Sequence, residues 1–537
     1  MCDADKKAIR ILLITNCNSD NLGDRLIEIC DISLIRTVMK NLGKEDYSIK
    51  SVNSGFISKK ESKNMVKDTD LIIFGGAPVF NYAYQNFYSN TIKTIETAEL
   101  YGKPVIFSAV GIESYDENSV ECQKLKKAVN KDCVKQITTR DGFNFLEKYH
   151  TNPQIPIAKV ADPATFTGEI FNSFIKSKHD NKKKIGIFIL REAGFKDNNI
   201  NFSGEKAATL WKGVEEELKA RGYDYEFLSS GHFPDEAFIE KMINKYGINP
   251  DKCVFNMDAP EKMVSRISSY DGVISCRLHP SITSYSLEVP SVGIVWNNKV
   301  VNFYNNIGYP ERLIRTDRIK AKHVVNTLIL AMKKKVKRDN EYRMTVYQTL
   351  FEGIRCALQL GNDSITAYNY DEFLANLCLY EGTSELEREE YMKRKFHRIY
   401  SKYNRLTAGY RVIYNSGMKS DRFILKYDNT KGKIKYLETG TVEYQAEEMK
   451  VNNGKSKFHK NGFSHPGYQF AGWVIRIKKD NGKWFWYAED GSLIPKDIYV
   501  DATSVDKKVF ADKATIPYIS IGAFELIVAE AVWRKLQ

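Results

Sequence analysis

The sequence predicts an α/β protein of two Rossmann-like domains facing one another across a cleft, followed by a helical connector and a small β-rich domain. Three observations predict it. Short continuous apolar runs alternate with helical stretches up to about residue 335, as expected of strands buried on both faces of a parallel sheet. One polar, charged segment, Asn172 to Lys184, interrupts the rhythm before it starts again. From about Asp339 the rhythm ends, and the last hundred or so residues show alternating β patterns such as KIKYLETGTVEYQ, GWVIRIKKDNGKWFWY and SLIPKDIYVDA. The expected divisions are 1–171, a linker at 172–184, 185–338, a helical connector at 339–419 and a β-rich domain at 420–537.

In the first half, Ile11 to Ile14 reads as a buried strand, and the loop to Asp24 carries NSDNLGD. A helix follows, with Ile27, Leu34, Ile35, Val38, Met39 and Leu42 at helical spacing before Gly43. In a doubly wound sheet that loop lies at the carboxyl ends of the strands, where ligands bind. Asn21, Gly23 and Asp24 are therefore candidates for the cleft; by residue type alone, Asn21 or Asp24 would serve as a helix cap. Asp70 to Gly76 is a second strand, and Gly75 and Gly76 at its end permit close backbone approach. Lys103 to Gly111 is a third. Arg140, Asp141 and Asp162 follow, and ion pairing and capping account for residues of these types.

The second half repeats the pattern. Ile185 to Leu190 is a strand ended by Arg191, Ala207 to Leu218 is helical, Tyr225 to Leu228 and Cys253 to Met257 are strands, and Glu261 to Tyr270 is helical. The stretch from Asp271 to Lys299 organises the rest: an apolar run at Val273 to Ser275, a turn holding Arg277 and His279, a helix started by Pro280, and a strand from Val292 to Trp296. A guanidinium and an imidazole beside a helix N-terminus describe a site for an anion that must be protonated. Arg191 ends the first strand of this half, on the same sheet edge. Two neighbouring arginines call for a multiply charged anion between them. His232, in the SSGHF turn, receives no role. Two such halves joined by a linker form the arrangement called GT-B.

Arg277-Leu278-His279 after a strand, then a helix, a Pro-bounded strand and Lys299, together with Asn21-x-Gly23-Asp24 at the first strand–helix turn, resembles the polysaccharide pyruvyltransferase family over about residues 9–335. Arg140-Asp141 before a helix and Asp162-Pro163 also fit. The chain departs from the family where three glycines are common, having Gly75-Gly76-Ala77. The resemblance implies a transferase that moves a pyruvyl unit from phosphoenolpyruvate, as a ketal, to a sugar of a cell-envelope or capsular glycan or a lipid-linked saccharide. Phosphoenolpyruvate is then a substrate, and neither cofactor nor metal is required. It also implies donor contacts from Arg191, Arg277, Leu278, His279 and Lys299, with Asn21, Gly23, Gly75 and Gly76 in the cleft. His279, Arg277 and Asp24 are the expected catalytic residues, His279 as donor contact and candidate general acid, with Asn21 and Asp24 on the opposite wall to align the acceptor. The rival of the same fold is a nucleotide-sugar-dependent glycosyltransferase, although the nearest acidic residue after the Arg-Leu-His turn, Glu288, lies at the helix end. A glycan-binding scaffold is the other rival. Asp-x-Asp pairs at Asp3 and Asp5 and at Asp68 and Asp70 precede strands, away from the expected cleft.

Composition bounds the partners. Lys and Arg number 80 against 67 Asp and Glu, a net +13, so on charge alone a phosphorylated substrate, an anionic glycan, a membrane surface or nucleic acid suits the chain; with the family resemblance beside it, no nucleic acid is expected. Nine cysteines without paired spacing point to a reducing cytoplasm. The opening apolar run is too short for a secretory signal, and no stretch approaches the roughly 20 apolar residues of a membrane span. Glu390 to Arg405 reads as a cationic amphipathic helix, suited either to the inner face of the membrane or to packing on the body with its basic side outward. Phe463 to Trp473, FSHPGYQFAGW, resembles the B-repeat of internalin-type bacterial surface proteins. Its aromatics would form either a glycan platform or the core of a small domain.

Overall fold

The computed structural model describes residues 8–392 except 55–59, 81–86, 178–182, 193, 196, 197, 199, 256 and 361–363. Beyond them it describes 393–410, 412–415, 424–425, 434–436, 441–444, 449–450, 457–458, 460–478, 484–495, 507–516 and 526–537. Residues 1–392 form one compact unit and 393–537 another.

The larger unit contains two six-stranded parallel sheets. The first, in the order β2-β1-β3-β4-β5-β6, comprises β1 (Ile9–Thr15), β2 (Tyr47–Asn53), β3 (Leu71–Phe74), β4 (Val105–Val110), β5 (Val134–Thr139) and β6 (Ile157–Lys159). The second, ordered β12-β11-β10-β7-β8-β9, comprises β7 (Lys184–Phe188), β8 (Asp224–Leu228), β9 (Cys253–Val254), β10 (Gly272–Ser275), β11 (Ser291–Ile294) and β12 (Leu313–Ile314). The central strands β3, β4, β10 and β11 are buried along their whole length, which is why they read as unbroken apolar runs. These are the two facing Rossmann-like domains of a GT-B-like fold.

Strand order reverses between β1 and β3 in the first sheet and between β7 and β10 in the second. At such a switch point the two following loops leave in opposite directions and open a crevice at the carboxyl ends. The loops after β1, β3, β7 and β10 carry, in turn, Asn21 to Asp24, Gly75 and Gly76, Arg191, and Arg277. The topology alone therefore brings the residue types singled out above to two facing crevices.

Helix Leu22–Asn41 is enclosed over most of its length, with Leu22, Leu26, Ile27, Leu34, Ile35, Val38 and Met39 all buried. After the second sheet the chain returns to the first domain through helix Asn340–Ala357, which packs on β4 and β5. Tyr347 Oη donates to Asn41 Oδ1 at 2.7 Å, and Gln136 Nε2 to the Thr349 carbonyl at 2.9 Å. Helix Leu278–Ser286 corrects the expectation that Pro280 opens it. It starts two residues earlier, because proline is tolerated in a first turn whose N–H groups have no intrahelical partner. Arg277 thus occupies the N-cap position, and Leu278 and His279 lie on the helix itself.

The smaller unit holds a seven-stranded sheet running Ile434–Tyr436, Thr441–Tyr444, Val412–Asn415, Leu526–Lys535, Tyr468–Lys478, Trp484–Tyr487 and Leu493–Pro495. Its strands begin before residue 420. The Asp480-Asn481-Gly482 turn lies outside the described residues, although the strands on either side pair antiparallel with Lys478 opposite Trp484. Phe463 and Trp473 join Phe458 and Phe510 in its core, whereas Tyr468 is exposed. In helix Glu385–Ala408, Met392 and Phe396 are exposed while Tyr391 and Lys395 are buried, so the apolar face expected from Met392 and Phe396 is not the covered one. Tyr400 and Tyr403 have side chains outside the described residues. Among the described residues no helix is long and apolar enough to cross a membrane.

Candidate active site

The two domains meet where the helix after β1 approaches the helix after β10. Gly23 sits so close to His279 that a Cβ there would overlap the imidazole ring. Asn21 caps the helix, its Oδ1 accepting from Gly23 N at 3.2 Å and from Ser230 Oγ at 2.7 Å. Leu22 N donates to the Ser230 carbonyl at 2.7 Å, so the same turn is tied to the loop after β8. Asn21 is thus a cap and a clasp between domains, and Gly23 is there to let the second domain's histidine come close.

Arg277 is held rigidly. Its Nε donates to Asp235 Oδ2 at 2.8 Å and its Nη2 to Asp235 Oδ1 at 2.5 Å, a bidentate pair, while Nη2 also lies 2.9 Å from His232 Nδ1. Asp235 Oδ1 further accepts from the Arg191 backbone N at 2.8 Å. One buried carboxylate therefore fixes the Arg277 guanidinium and the Arg191 backbone. Burial opposes the Asp235 charge, but the adjacent Arg277 outweighs it and holds the carboxyl below its usual range. Arg277 Nη1 makes no hydrogen bond among the described residues, so one edge of the fork remains for a ligand.

On the first domain Arg140, buried after β5, donates from Nη1 to Asp162 Oδ2 at 2.6 Å, and its Nε, 3.8 Å from Asp141 Oδ2, has no hydrogen-bond partner among the described residues. Asp162 also caps the turn after it, accepting from Ala164 N at 2.9 Å. Lys299, from the helix after β11, forms an ion pair with Glu113 of the loop after β4. Arg140, Asp141, Asp162, Leu278, Lys299 and Tyr342 line a cavity of about 20 Å³, room for about one water.

Gly75 and Gly76 lie where helix Leu22–Asn41 meets the end of β3. A Cβ at Gly75 would meet the Asp31 carboxylate and one at Gly76 would meet Ile27, while Gly76 N donates to Asp31 Oδ2 at 3.1 Å. These glycines let helix Leu22–Asn41 pack against the end of β3, and Ala77 in the third position is buried beside them. Gly75 contacts the helix, whereas a Cβ at Gly76 would also lie 3.5 Å from Arg140 Nη1, which lines the crevice.

The electrostatics separate two candidate acids. Burial, reinforced by Arg140, Lys299 and Arg277, pushes the His279 imidazole well below its usual range, so it is neutral at pH 7; its Nε2 is buried without a hydrogen-bond partner among the described residues. Asp24 moves the other way. Burial raises its carboxyl above the usual range, against the opposing pull of Lys299, Arg140 and Arg277. Burial thus favours the neutral form of both groups, the protonated carboxyl of Asp24 and the uncharged imidazole of His279.

Asn21, Gly23, Asp24, Arg191, Arg277, Leu278, His279 and Lys299 come together, with Arg140, Asp141 and Asp162. Asp235, His232 and Glu113 were missed by sequence reasoning. Asp235 looks like an ordinary first-turn acid after Pro234, yet two arginines converging on one sheet edge need a carboxylate, and the loop after β8 is the neighbouring source.

Comparison with known proteins adds the following. No curated protein matches the sequence. Among solved structures, the chain is similar to the UDP-GlcNAc 2-epimerase of Methanocaldococcus jannaschii at 13% identity and a TM-score of 0.41, over 66% of this chain and 100% of that one. It is also similar to a putative UDP-N-acetylglucosamine 2-epimerase from Listeria monocytogenes at 10% identity and 0.43, over 67% and 100%. A UDP-glucosyltransferase from Polygonum tinctorium shares 10% identity at 0.34, over 70% and 99%. A family profile described as polysaccharide pyruvyl transferase matches residues 21–298, from the Asn21 cap to one residue short of Lys299. That match spans just over half of the sequence and includes both crevices, and the chain belongs to the polysaccharide pyruvyl transferase family.

Proposed function

We propose that the protein transfers the pyruvyl unit of phosphoenolpyruvate to two hydroxyls of a saccharide, forming a ketal and releasing inorganic phosphate. The observation that carries this reading is His279 Nε2, buried without a hydrogen-bond partner among the described residues, on a ring whose charge Arg140, Lys299 and Arg277 oppose and whose Nδ1 edge lies against Gly23, next to Asp24. Such a setting suits a small, densely anionic ligand with an acid beside it. The donor carboxylate and phosphate are met by Arg277 Nη1, Arg191 and Lys299, and His279 contributes a hydrogen bond as a neutral ring. Asp24 delivers a proton to the vinyl carbon. Charge at the adjacent carbon is then quenched by one sugar hydroxyl, phosphate leaves with the C–O bond pair, and the second hydroxyl closes the ketal. The two hydroxyl protons pass to Asp24 and to the departing phosphate, so the acid is restored. No cofactor enters the scheme. The acceptor is a cell-envelope glycan or a lipid-linked saccharide, met from the cytoplasmic side.

Calorimetric titration of the full chain with phosphoenolpyruvate and, separately, with UDP-N-acetylglucosamine tests the reading. Saturable binding of phosphoenolpyruvate without nucleotide-sugar binding is expected. Binding of the nucleotide sugar alone would contradict it and favour a nucleotide-sugar transferase.

A further inference from the structure

After the return helix the chain crosses both domains again, from Cys378 to Tyr391. Cys378 N donates to Thr37 Oγ1 at 3.1 Å and Tyr380 N to the Ile170 carbonyl at 2.9 Å, both in the first domain. Thr383 Oγ1 and Arg388 Nη2 donate, each at 2.8 Å, to the two oxygens of Glu261 on helix Pro260–Ser269 of the second domain. Glu387, between them, pairs with Arg25 of the first domain at 3.5 Å. The segment ends on Tyr391, which is 5% exposed. Its Oη donates to the Asp20 carbonyl at 2.8 Å and lies 3.4 Å from the Gly231 carbonyl, so it meets the loop after β1 and the loop after β8 together. Gly231 has a φ of +82°, and a Cβ there would lie 2.7 Å from Tyr391 Oη and 2.9 Å from the Asp20 carbonyl oxygen. Phe233 N donates to Asp20 Oδ2 at 3.3 Å across the same junction. From Asp20 the chain leads directly to Asn21, Gly23 and Asp24; from Gly231 it leads to His232 and Asp235, which hold Arg277. Packing alone would be met by phenylalanine, which fills the space without a hydroxyl to desolvate. The carbonyls it meets account for the hydroxyl.

We propose that Tyr391 is a positioning residue of the transfer site: its hydroxyl clamps the turn before Asp24 to the turn before His232, and so sets where Asp24 stands against a donor held by Arg277. The Arg277 guanidinium is fixed within the second domain by Asp235, through bonds in which Tyr391 takes no part. Loss of the hydroxyl therefore leaves donor binding nearly unchanged and uncouples the first-domain wall from the bound donor. This rests on the reading of the crevice as a phosphoenolpyruvate site with Asp24 as its acid.

The test compares full-length wild type, Tyr391→Phe and Tyr391→Leu by calorimetry with phosphoenolpyruvate and by hydrogen exchange at the Leu22 and Phe233 amides, which donate across the junction. In the empty Tyr391→Phe protein these amides should exchange about fivefold faster than in wild type, at a nearly unchanged melting temperature. Phosphoenolpyruvate should bind Tyr391→Phe within about twofold of wild type, yet slow the two amides in wild type only. Tyr391→Leu should lose the same coupling and also melt lower, which separates the hydroxyl from the packing of the ring. Wild-type exchange in Tyr391→Phe, or donor protection equal to wild type, overturns the clamp while leaving the donor reading intact. A loss of donor affinity that accompanies the loss of protection also overturns it, since Tyr391 would then support the donor-holding groups themselves. If wild type does not bind phosphoenolpyruvate, the donor reading fails and the positioning role falls with it.

Discussion

The two compact units differ sharply in charge. Residues 1–392 hold 53 Lys and Arg against 52 Asp and Glu, whereas 393–537 hold 27 against 15, so almost all of the chain's +13 resides in the smaller unit. In the larger unit Arg277, Arg140 and Lys299 are each matched by a carboxylate from another element. Matched pairs cancel at long range but fix side chains to within hydrogen-bond geometry, which transfer chemistry requires. Unmatched charge does the reverse: it draws polyanions from a distance without specifying where an atom sits. The contrast places the geometrically fixed ionic groups in the larger unit and nearly all of the excess positive charge in the smaller one.

The largest effect should come from the proposed acid. Asp24→Asn keeps the shape but not the proton, and turnover should fall by about 10²- to 10⁴-fold with donor binding retained. Phosphate release at the wild-type rate would move the proton donor elsewhere. Next, Arg277→Lys cannot keep both Asp235 oxygens and a ligand. Donor affinity should drop about 100-fold, since a point charge cannot replace the fork, and near-normal binding by a folded variant would show that the matched geometry is not what holds the donor.

His279 sharpens the comparison through pH. Its folded pKa is depressed, so as pH falls below about 6.5 the unfolded chain takes up a proton that the folded site refuses, and stability is lost on the acid side. Between pH of about 6.5 and 5.5 this one group should cost about 1 kcal/mol. His279→Gln should flatten that part of the melting-temperature profile, and an unchanged slope would mean that the imidazole is not held neutral. Smallest is Asn21→Ala, which removes the cap to Gly23 N and the tie to Ser230, for a loss of about 1 kcal/mol in stability by urea unfolding.

Much of the fold was legible because parallel strands buried on both faces leave unbroken apolar runs, as in Leu71–Phe74 and Ser291–Ile294, and because the switch-point loops follow from strand order. The start of helix Leu278–Ser286 was not, since a first-turn proline fits several positions equally. Arg277 and His279 were visible by residue type and position. Their environment was not: Asp235 lies 42 residues from Arg277, and the burial that keeps His279 neutral is created by the opposite domain. Gly75 and Gly76 show the limit from the other side, because close approach to Asp31 and close approach to a ligand demand the same residue.

The most direct measurement is the phosphoenolpyruvate dissociation constant of the full chain beside that of a chain ending after Ala408, which keeps helix Glu385–Ala408 whole. If the matched cations of the larger unit hold the donor, the two constants agree within about twofold, while retention of the full chain on an anionic polysaccharide falls steeply with salt and is lost from the shorter one. A folded shorter chain that no longer binds phosphoenolpyruvate would contradict the account.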